Sequence, residues 1–192
     1  MVRSFTNEAV APDALERIIN AGHSGPSAGN TRSLELVVLE GIETDSYWDT
    51  TFSPGKRDAF PWPGLLNAPV LLIPYVDPSA YVNRYAEADK ARTGLGGSQD
   101  AWTVPYWWVD GGAAVENMLL ASIAEGLGAC FFGQFEHETA VSERFGVPEG
   151  RRAVGTIAVG HPDPSADRPS TSAARPRRPT SQVTHRGSWQ DL

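Results

Sequence analysis

The hydrophobic pattern of the chain is strongest over residues 110–135, which read DGGAAVENMLLASIAEGLGACFFGQF. Over residues 113–124 apolar side chains occupy nearly every side of a helix, so we predict a helix covered by a core or a subunit interface. Glu116 and Glu125 interrupt the apolar run and leave it too short for a membrane-spanning helix. Glycines then end the helix, and residues 129–132 are predicted to form a buried strand.

The rest of the pattern alternates helices with strands. Helices are predicted at residues 12–22, 81–85 and 138–145, and strands at residues 34–39, 70–73 and 154–159. Residues 41–67 show no clear periodicity, and their aromatic side chains are interpreted as the cap of a pocket or as a loop folded onto the core. Residues 163–182 are rich in Pro, Ser and Arg and are predicted to be extended. This order of elements favours an α/β or α+β fold.

Composition and charge exclude several classes of protein. A length of 192 residues with 41% hydrophobic content fits one domain with a substantial core. Residues 1–150 hold 9 basic and 20 acidic side chains, whereas residues 151–192 hold 7 and 3. The acidic body argues against nucleic acid as a partner, and the basic end suits an anion site or a solvated tail. Because no charged-then-apolar leader opens the chain, we expect a soluble, cytoplasmic protein without a membrane partner.

Catalysis by side chains alone finds little support in the sequence. Neither GLGGSQ nor GLGACFFG supplies the third glycine of a dinucleotide fingerprint, and the four histidines are not spaced as metal ligands. Ser27 lacks the context of a nucleophile elbow, and Cys130 lies among apolar neighbours, which favours a core residue over a nucleophile. Chemistry carried by an organic cofactor needs no such side chains.

Five short motifs occur in an informative order: VRSF before the first helix, PSAGN before the first strand, then GLGACFFG, VGTIAVGHP and the terminal HRGSW. Together they resemble the flavin-dependent nitroreductase family, and specifically a short, actinobacterial-like branch. The resemblance is weak over residues 41–100 and 163–180. It implies an α+β fold with a central mixed or antiparallel sheet flanked by helices. Residues 1–162 would form the FMN-binding domain, and residues 163–192 an extended arm packed on an intertwined homodimer.

The same resemblance implies the activity. Two FMN molecules would bind at the dimer interface, and hydride would pass from NAD(P)H to the flavin and then to a nitroaromatic, quinone or similar acceptor. It also implies contacts to the phosphate, to the ribityl chain and ring, and to the reactive ring edge. Arg3, His185 and Arg186 would contact the phosphate. Ser27, Ala28 and Asn30 would contact the ribityl chain and ring. Phe132 and Gly133 would contact the reactive ring edge. The FMN phosphate carries a charge near −2, which suits arginine.

Two departures from the family pattern bear on the substrate. The usual Gln-Pro-Trp or Gln-Gly-Trp after the PSAGN loop is replaced by Arg32-Ser33-Leu34, so we expect an altered substrate preference. An arginine that commonly precedes the position of Arg3 is either absent or encoded upstream of Met1. Arg32, Tyr106 and Trp107 are the candidate substrate contacts, although the aromatic run WTVPYWW equally fits core packing.

Two further functions remain open from the sequence. An FMN enzyme could work in the oxidative direction, desaturating a specialised metabolite bound by Arg32 and the aromatic residues of 41–108, with oxygen as the final acceptor. A non-catalytic relative could store or sequester FMN. Consumption of NAD(P)H separates the reductase from both alternatives, and oxygen-dependent product formation identifies the oxidative enzyme.

Overall fold

The computed structural model describes residues 1–53 and 55–189. Its centre is an antiparallel sheet of five strands in the order β1-β2-β5-β3. The short strand β4 pairs with the last residues of β2, next to the amino end of β5. The strands are β1 (Glu35–Glu40), β2 (Val70–Val76), β3 (Gly128–Phe132), β4 (Arg152–Ala153) and β5 (Thr156–Gly160). The helices are α1 (Pro12–His23), α2 (Ile42–Thr51), α3 (Pro78–Ala86), α4 (Tyr106–Ala124) and α5 (Glu138–Arg144).

Helices cover both faces of the sheet, as the central strand β2 shows most directly. Successive residues of a strand point to opposite faces, and every residue of β2 is buried. Val70 and Leu72 belong to the same hydrophobic cluster as Met118 of α4. Leu71 and Ile73 belong instead to the cluster that contains Tyr47, Trp48 and Val141, contributed by α2 and α5. The expected α+β architecture is therefore confirmed, with an antiparallel sheet.

Strand β2 continues past the position where its end was predicted. The strand was predicted to end at Ile73, but β2 runs through Pro74 to Val76. A proline has no N–H for the ladder, so it is tolerated where pairing is interrupted. Pro74 lies where the partner of β2 changes from β5 to β4, and its carbonyl accepts a hydrogen bond from the Val154 N–H at 2.8 Å. The same interruption divides the strand predicted at 154–159 into β4 and β5.

The predicted central helix is confirmed as α4 and starts earlier than expected, at Tyr106 directly after Pro105. It ends in a Schellman motif. Gly126 has φ +75°, and the Leu127 N–H donates to the Ser122 carbonyl at 2.9 Å. Glycine adopts this left-handed conformation without steric cost, so the chain turns directly from the helix into β3.

One face of α4 is exposed in the single chain. Val109, Leu120 and Ile123 are 49%, 55% and 66% exposed. Their spacing of 11 and 3 residues places them on one side of a helix, where Glu116 is also exposed. The expectation that α4 is covered on several sides thus holds for its sheet-facing side and leaves an apolar stripe without cover in one chain.

Candidate functional site

A cavity of about 410 Å³ opens at the carboxyl end of β3. It is lined by residues from the N-terminal segment, from α2 and the following loop, and from the end of β3. The N-terminal segment is fixed beside the sheet because the Val2 N–H donates to the Ala129 carbonyl at 3.0 Å and Phe5 bridges to Pro162. This pairing brings Arg3 into the same cavity as Phe132 and Gly133, three residues that the sequence had linked only through a family resemblance.

The guanidinium of Arg3 is available to an anion. Its carbon lies 5.9 Å from the centroid of the Trp62 ring, in the range of a cation–π contact. The Arg3 backbone N–H donates to Asp167 Oδ1 at 3.2 Å, but no carboxylate within residues 1–53 and 55–189 pairs with its side chain. A half-buried guanidinium without a counter-charge is suited to a phosphate or carboxylate group of a ligand.

Aromatic rings form the walls of this cavity. Trp48 stacks on Phe132 with centroids 5.8 Å apart and planes inclined by 19°. Phe60 contacts Phe52 at 5.0 Å and Trp62 at 5.8 Å between centroids, both edge to face. Both interpretations of these aromatics hold, because Phe52, Phe60 and Trp62 line the cavity and also pack against the core. Flat apolar walls next to the Arg3 guanidinium suit a planar ring system that carries a remote negative charge.

The cavity is also lined by Gly133, whose backbone is exposed, and by Phe135, whose backbone is strained. A side chain at Gly133 would begin 3.1 Å from the Phe135 ring, so this ring covers one side of Gly133. Phe135 itself has φ +49° and is 84% exposed. A left-handed backbone is unfavourable for a bulky residue, and such strain is concentrated at functional sites.

Behind the aromatic wall lies a buried polar network. The Tyr47 hydroxyl and Thr156 Oγ1 are 2.9 Å apart, and Gln134 Nε2 donates to the same Thr156 oxygen at 3.0 Å. Burial raises the pKa of Tyr47 to about 12, so the phenol stays protonated at neutral pH. Tyr47 therefore fixes the position of α2 against β5 and is not a source of negative charge near the cavity.

The loop between α1 and β1 forms a second group of predicted site residues. Ser27 Oγ accepts from the Arg32 N–H at 3.0 Å, and Arg32 Nε donates to Asn30 Oδ1 at 2.8 Å. Ala28 to Asn30 make a single 3₁₀ turn between them. The structure therefore brings Ser27, Ala28, Asn30 and Arg32 together in one compact turn. None of them is among the residues lining the Arg3 cavity of the same chain.

The other two candidate substrate residues differ in accessibility. Tyr106 is 43% exposed and lines a separate apolar cleft of about 540 Å³ together with Ala28 and Trp102. Trp107 is 6% exposed and packs edge-on against Tyr81 and Trp102 at centroid distances of 6.0 and 5.8 Å. In the single chain Tyr106 is thus accessible next to the Ser27–Arg32 turn, and Trp107 forms the packed layer behind it.

The C-terminal candidates lie in a third place. The His185 ring stacks on the Trp189 ring with centroids 4.2 Å apart, and Arg186 borders a shallow hollow with Thr180 and Thr184. Trp189 is 82% exposed in the single chain. Residues 190–192 of the predicted arm lie outside the described residues. The packing of residues 163–192 on a dimer stays a prediction.

Comparison with known proteins decides the class of this molecule. A sequence profile described as the Nitroreductase family matches residues 1–161. The chain belongs to the nitroreductase family. The resemblance to flavin-dependent nitroreductases is thereby confirmed, and this nitroreductase-family protein is an oxidoreductase.

Individual relatives agree with the family. A putative NADH dehydrogenase/NAD(P)H nitroreductase of Archaeoglobus fulgidus is 25% identical over 171 residues, which cover 86% of this chain and 82% of that protein. An NADPH-flavin oxidoreductase of Vibrio harveyi is 26% identical over 100% of this chain and 71% of its own length. The structure of a hypothetical oxidoreductase from Bacillus subtilis shares the fold, with a TM-score of 0.73 at 22% identity over 99% of this chain and 71% of that chain.

Within the part of the chain that the structure describes, no group of three or more His, Cys, Asp or Glu could hold a metal ion. None of the described helices is long and apolar enough to cross a membrane. Asp110 and Arg84, which hydrogen-bond to the main chain of the Ser27–Arg32 turn, belong to no motif of the sequence and were not predicted.

Cys130 is expected to react slowly with thiol reagents in the folded protein. The side chain is 3% exposed, and burial raises its pKa, so the reactive thiolate is scarce at neutral pH. Timed reaction with Ellman's reagent should show a slow phase that becomes fast in denaturant, where the one cysteine of the chain titrates fully. A folded-state rate equal to that of the denatured chain would show that the thiol is accessible.

Proposed function

We propose that this protein is an FMN-dependent oxidoreductase that passes hydride from NAD(P)H to a nitroaromatic, quinone or similar acceptor. The observation that carries the proposal is the aromatic cavity of about 410 Å³ at the end of β3, with the unpaired Arg3 guanidinium beside it. The names of the relatives from Archaeoglobus fulgidus and Vibrio harveyi support the same reaction class. The acceptor is proposed as flat and largely apolar, because aromatic side chains line the cavity.

The residues present fit FMN. The cavity volume falls within the range of about 300–1,000 Å³ that is usual for ligand sites. Arg3 would pair with the phosphate, the rings of Trp48 and Phe132 would exclude water from the flavin, and the bare backbone of Gly133 would permit close approach. Bound FMN supplies the hydride-transfer chemistry itself. The protein contributes binding, orientation and a dry environment, which is why the described side chains contain no activated nucleophile.

We also propose that the site is completed by a second subunit. Arg3 and Gly133 line one cavity of the chain, whereas Ser27, Ala28 and Asn30 lie in the separate turn between α1 and β1. A homodimer that uses the exposed stripe of α4 would allow the Ser27–Arg32 turn of one protomer to face the cavity of its partner. Each of the two FMN molecules would then contact both protomers, as the family resemblance implies.

Purified protein is expected to bind FMN and to show visible flavin absorbance. Anaerobic addition of NADPH or NADH should bleach this absorbance, and an acceptor such as menadione or a nitroaromatic should restore it. Lack of any flavin binding after incubation with FMN would reject the proposal. Tight flavin binding without bleaching by either nicotinamide would favour the oxidative enzyme or the FMN-storage protein instead.

A further inference from the structure

The turn between Ser27 and Arg32 has an unusual backbone. Gly29, Asn30 and Arg32 have φ values of +63°, +57° and +51°. Glycine accepts this conformation freely, but asparagine and especially arginine do so at a cost. Strained residues of this kind persist where the surrounding structure over-determines them. The contacts that impose this shape are therefore informative.

One of these contacts comes from Asp110 in α4. Its Oδ2 accepts a hydrogen bond from the Ala28 backbone N–H at 2.7 Å and another from the Tyr81 hydroxyl at 2.8 Å. Within the described residues no cation pairs with this half-buried carboxylate. Partial burial of an unpaired carboxylate is unfavourable unless strong hydrogen bonds compensate it. The hydrogen bond from the Ala28 N–H is one of these compensating interactions, and it connects Asp110 to the turn.

A second contact comes from Arg84 in α3. Its Nε donates to the Gly29 carbonyl at 2.9 Å, while its two terminal nitrogens bind Asp89 at 2.7 and 2.8 Å. The pair with Asp89 fixes the guanidinium, so the donor to Gly29 is held in place. The Tyr85 ring closes the same side, since a Cβ at Gly29 would lie 2.7 Å from it.

We infer that Asp110 and Arg84 are positioning residues that hold the turn in the shape that receives the flavin. A carboxylate and a guanidinium from two different helices bind the main chain of two consecutive residues, Ala28 and Gly29. This arrangement fixes the backbone and leaves the side chains of the turn at its surface. The inference rests on the proposed function, because it takes the Ser27–Arg32 turn as part of the flavin site.

The test uses flavin affinity of the full-length protein, measured by FMN fluorescence quenching and by visible circular dichroism of the bound flavin. Asp110→Ala is expected to weaken FMN binding about tenfold or more, the effect of losing one charge-assisted hydrogen bond. Asp110→Asn should restore most of the affinity, since the amide oxygen can still accept both bonds. Arg84→Ala should also weaken FMN binding, because it removes the hydrogen bond to the Gly29 carbonyl.

Glu125→Ala is the matched control. Glu125 directly follows α4, and its carboxylate oxygens accept from Arg17 of α1 at 2.8 Å and not from the turn. Its loss should lower thermal stability and leave FMN affinity unchanged. If Asp110→Ala does not fold, Arg84→Ala, which removes the hydrogen bond to the Gly29 carbonyl, carries the same comparison.

A double-mutant cycle separates positioning from general stability. Asn30→Ala should weaken FMN binding in the wild type and have much less effect in Asp110→Ala, because the turn is already displaced. Additive effects, or unchanged affinity in Asp110→Ala while the wild type binds FMN, would overturn this inference alone. Failure of the wild type to bind FMN would overturn the proposed function and this inference with it.

Discussion

Leu120→Asp is expected to convert the proposed homodimer into monomers. Leu120 is 55% exposed in the single chain and lies on the apolar stripe of α4 with Val109 and Ile123. In an isolated chain a charge at this position remains hydrated and costs little. In a packed interface the same carboxylate would lose its hydration without a partner, a penalty of several kcal/mol. An isologous dimer would contain the substitution twice.

Sedimentation velocity at micromolar concentration measures this effect, with Ile42→Asp as the matched control. Ile42 is 77% exposed and is the first residue of α2, which packs on the opposite face of the sheet from α4. An acidic residue in the first turn of a helix is favourable, so this variant should fold. Because Ile42 lies outside the proposed interface, the variant should also remain a dimer. A wild-type protein that is a stable folded monomer, or a Leu120→Asp variant that stays dimeric, would contradict the proposed interface.

Flavin content provides a second measure of the same variant. If each FMN contacts both protomers, Leu120→Asp should lose FMN together with the dimer, although Leu120 lines neither candidate site. Ile42→Asp should keep both properties. Monomers that retain full FMN affinity would show that one chain contains the whole site.

The sequence was most informative where burial is dense and local. Helix α4 and strand β3 follow one another with almost no polar interruption, so their order and the Gly126 turn could be predicted from neighbouring residues. Helix α2 was missed although Thr44, Tyr47 and Trp48 have the i, i+3, i+4 spacing of a buried helix face. The exposed Ile42 and the polar residues between them obscured that spacing. Helix α2 depends on tertiary packing against the sheet, which the hydrophobic pattern of the sequence does not reveal.

The candidate site shows the same division. Arg3 and Gly133 could be proposed from short motifs, because the family resemblance of those motifs implies cofactor contacts there. Asp110 could not, since its hydrogen bond to Ala28 joins residues 82 positions apart and depends on how α4 crosses the turn. The enclosure of the cavity by Trp48 and Phe60 likewise requires the fold, because aromatic residues in an irregular segment fit a surface loop equally well.

Arg186→Ala is expected to weaken FMN binding by about one to two decades, which corresponds to the roughly 1.5–3 kcal/mol of a charge-assisted hydrogen bond. The motif HRGSW resembles the phosphate-binding end of the family. In the single chain Val183 and Trp189 are 50% and 82% exposed, an arrangement that leaves two apolar side chains for a partner to cover. We therefore expect the arm to dock on the dimer and to carry Arg186 to the phosphate.

Arg178→Ala is the matched control for this prediction, because Arg178 also lies in the basic arm but donates within it, to the Gln182 carbonyl at 2.8 Å. Its loss should leave FMN affinity and the dimer unchanged. Riboflavin sharpens the test, since it has the same ring system without the phosphate. Arg186→Ala should weaken FMN binding and leave riboflavin binding intact. Equal affinity of Arg186→Ala and the wild type for FMN would identify Arg186 as a solvated charge and leave Arg3 as the residue that binds the phosphate.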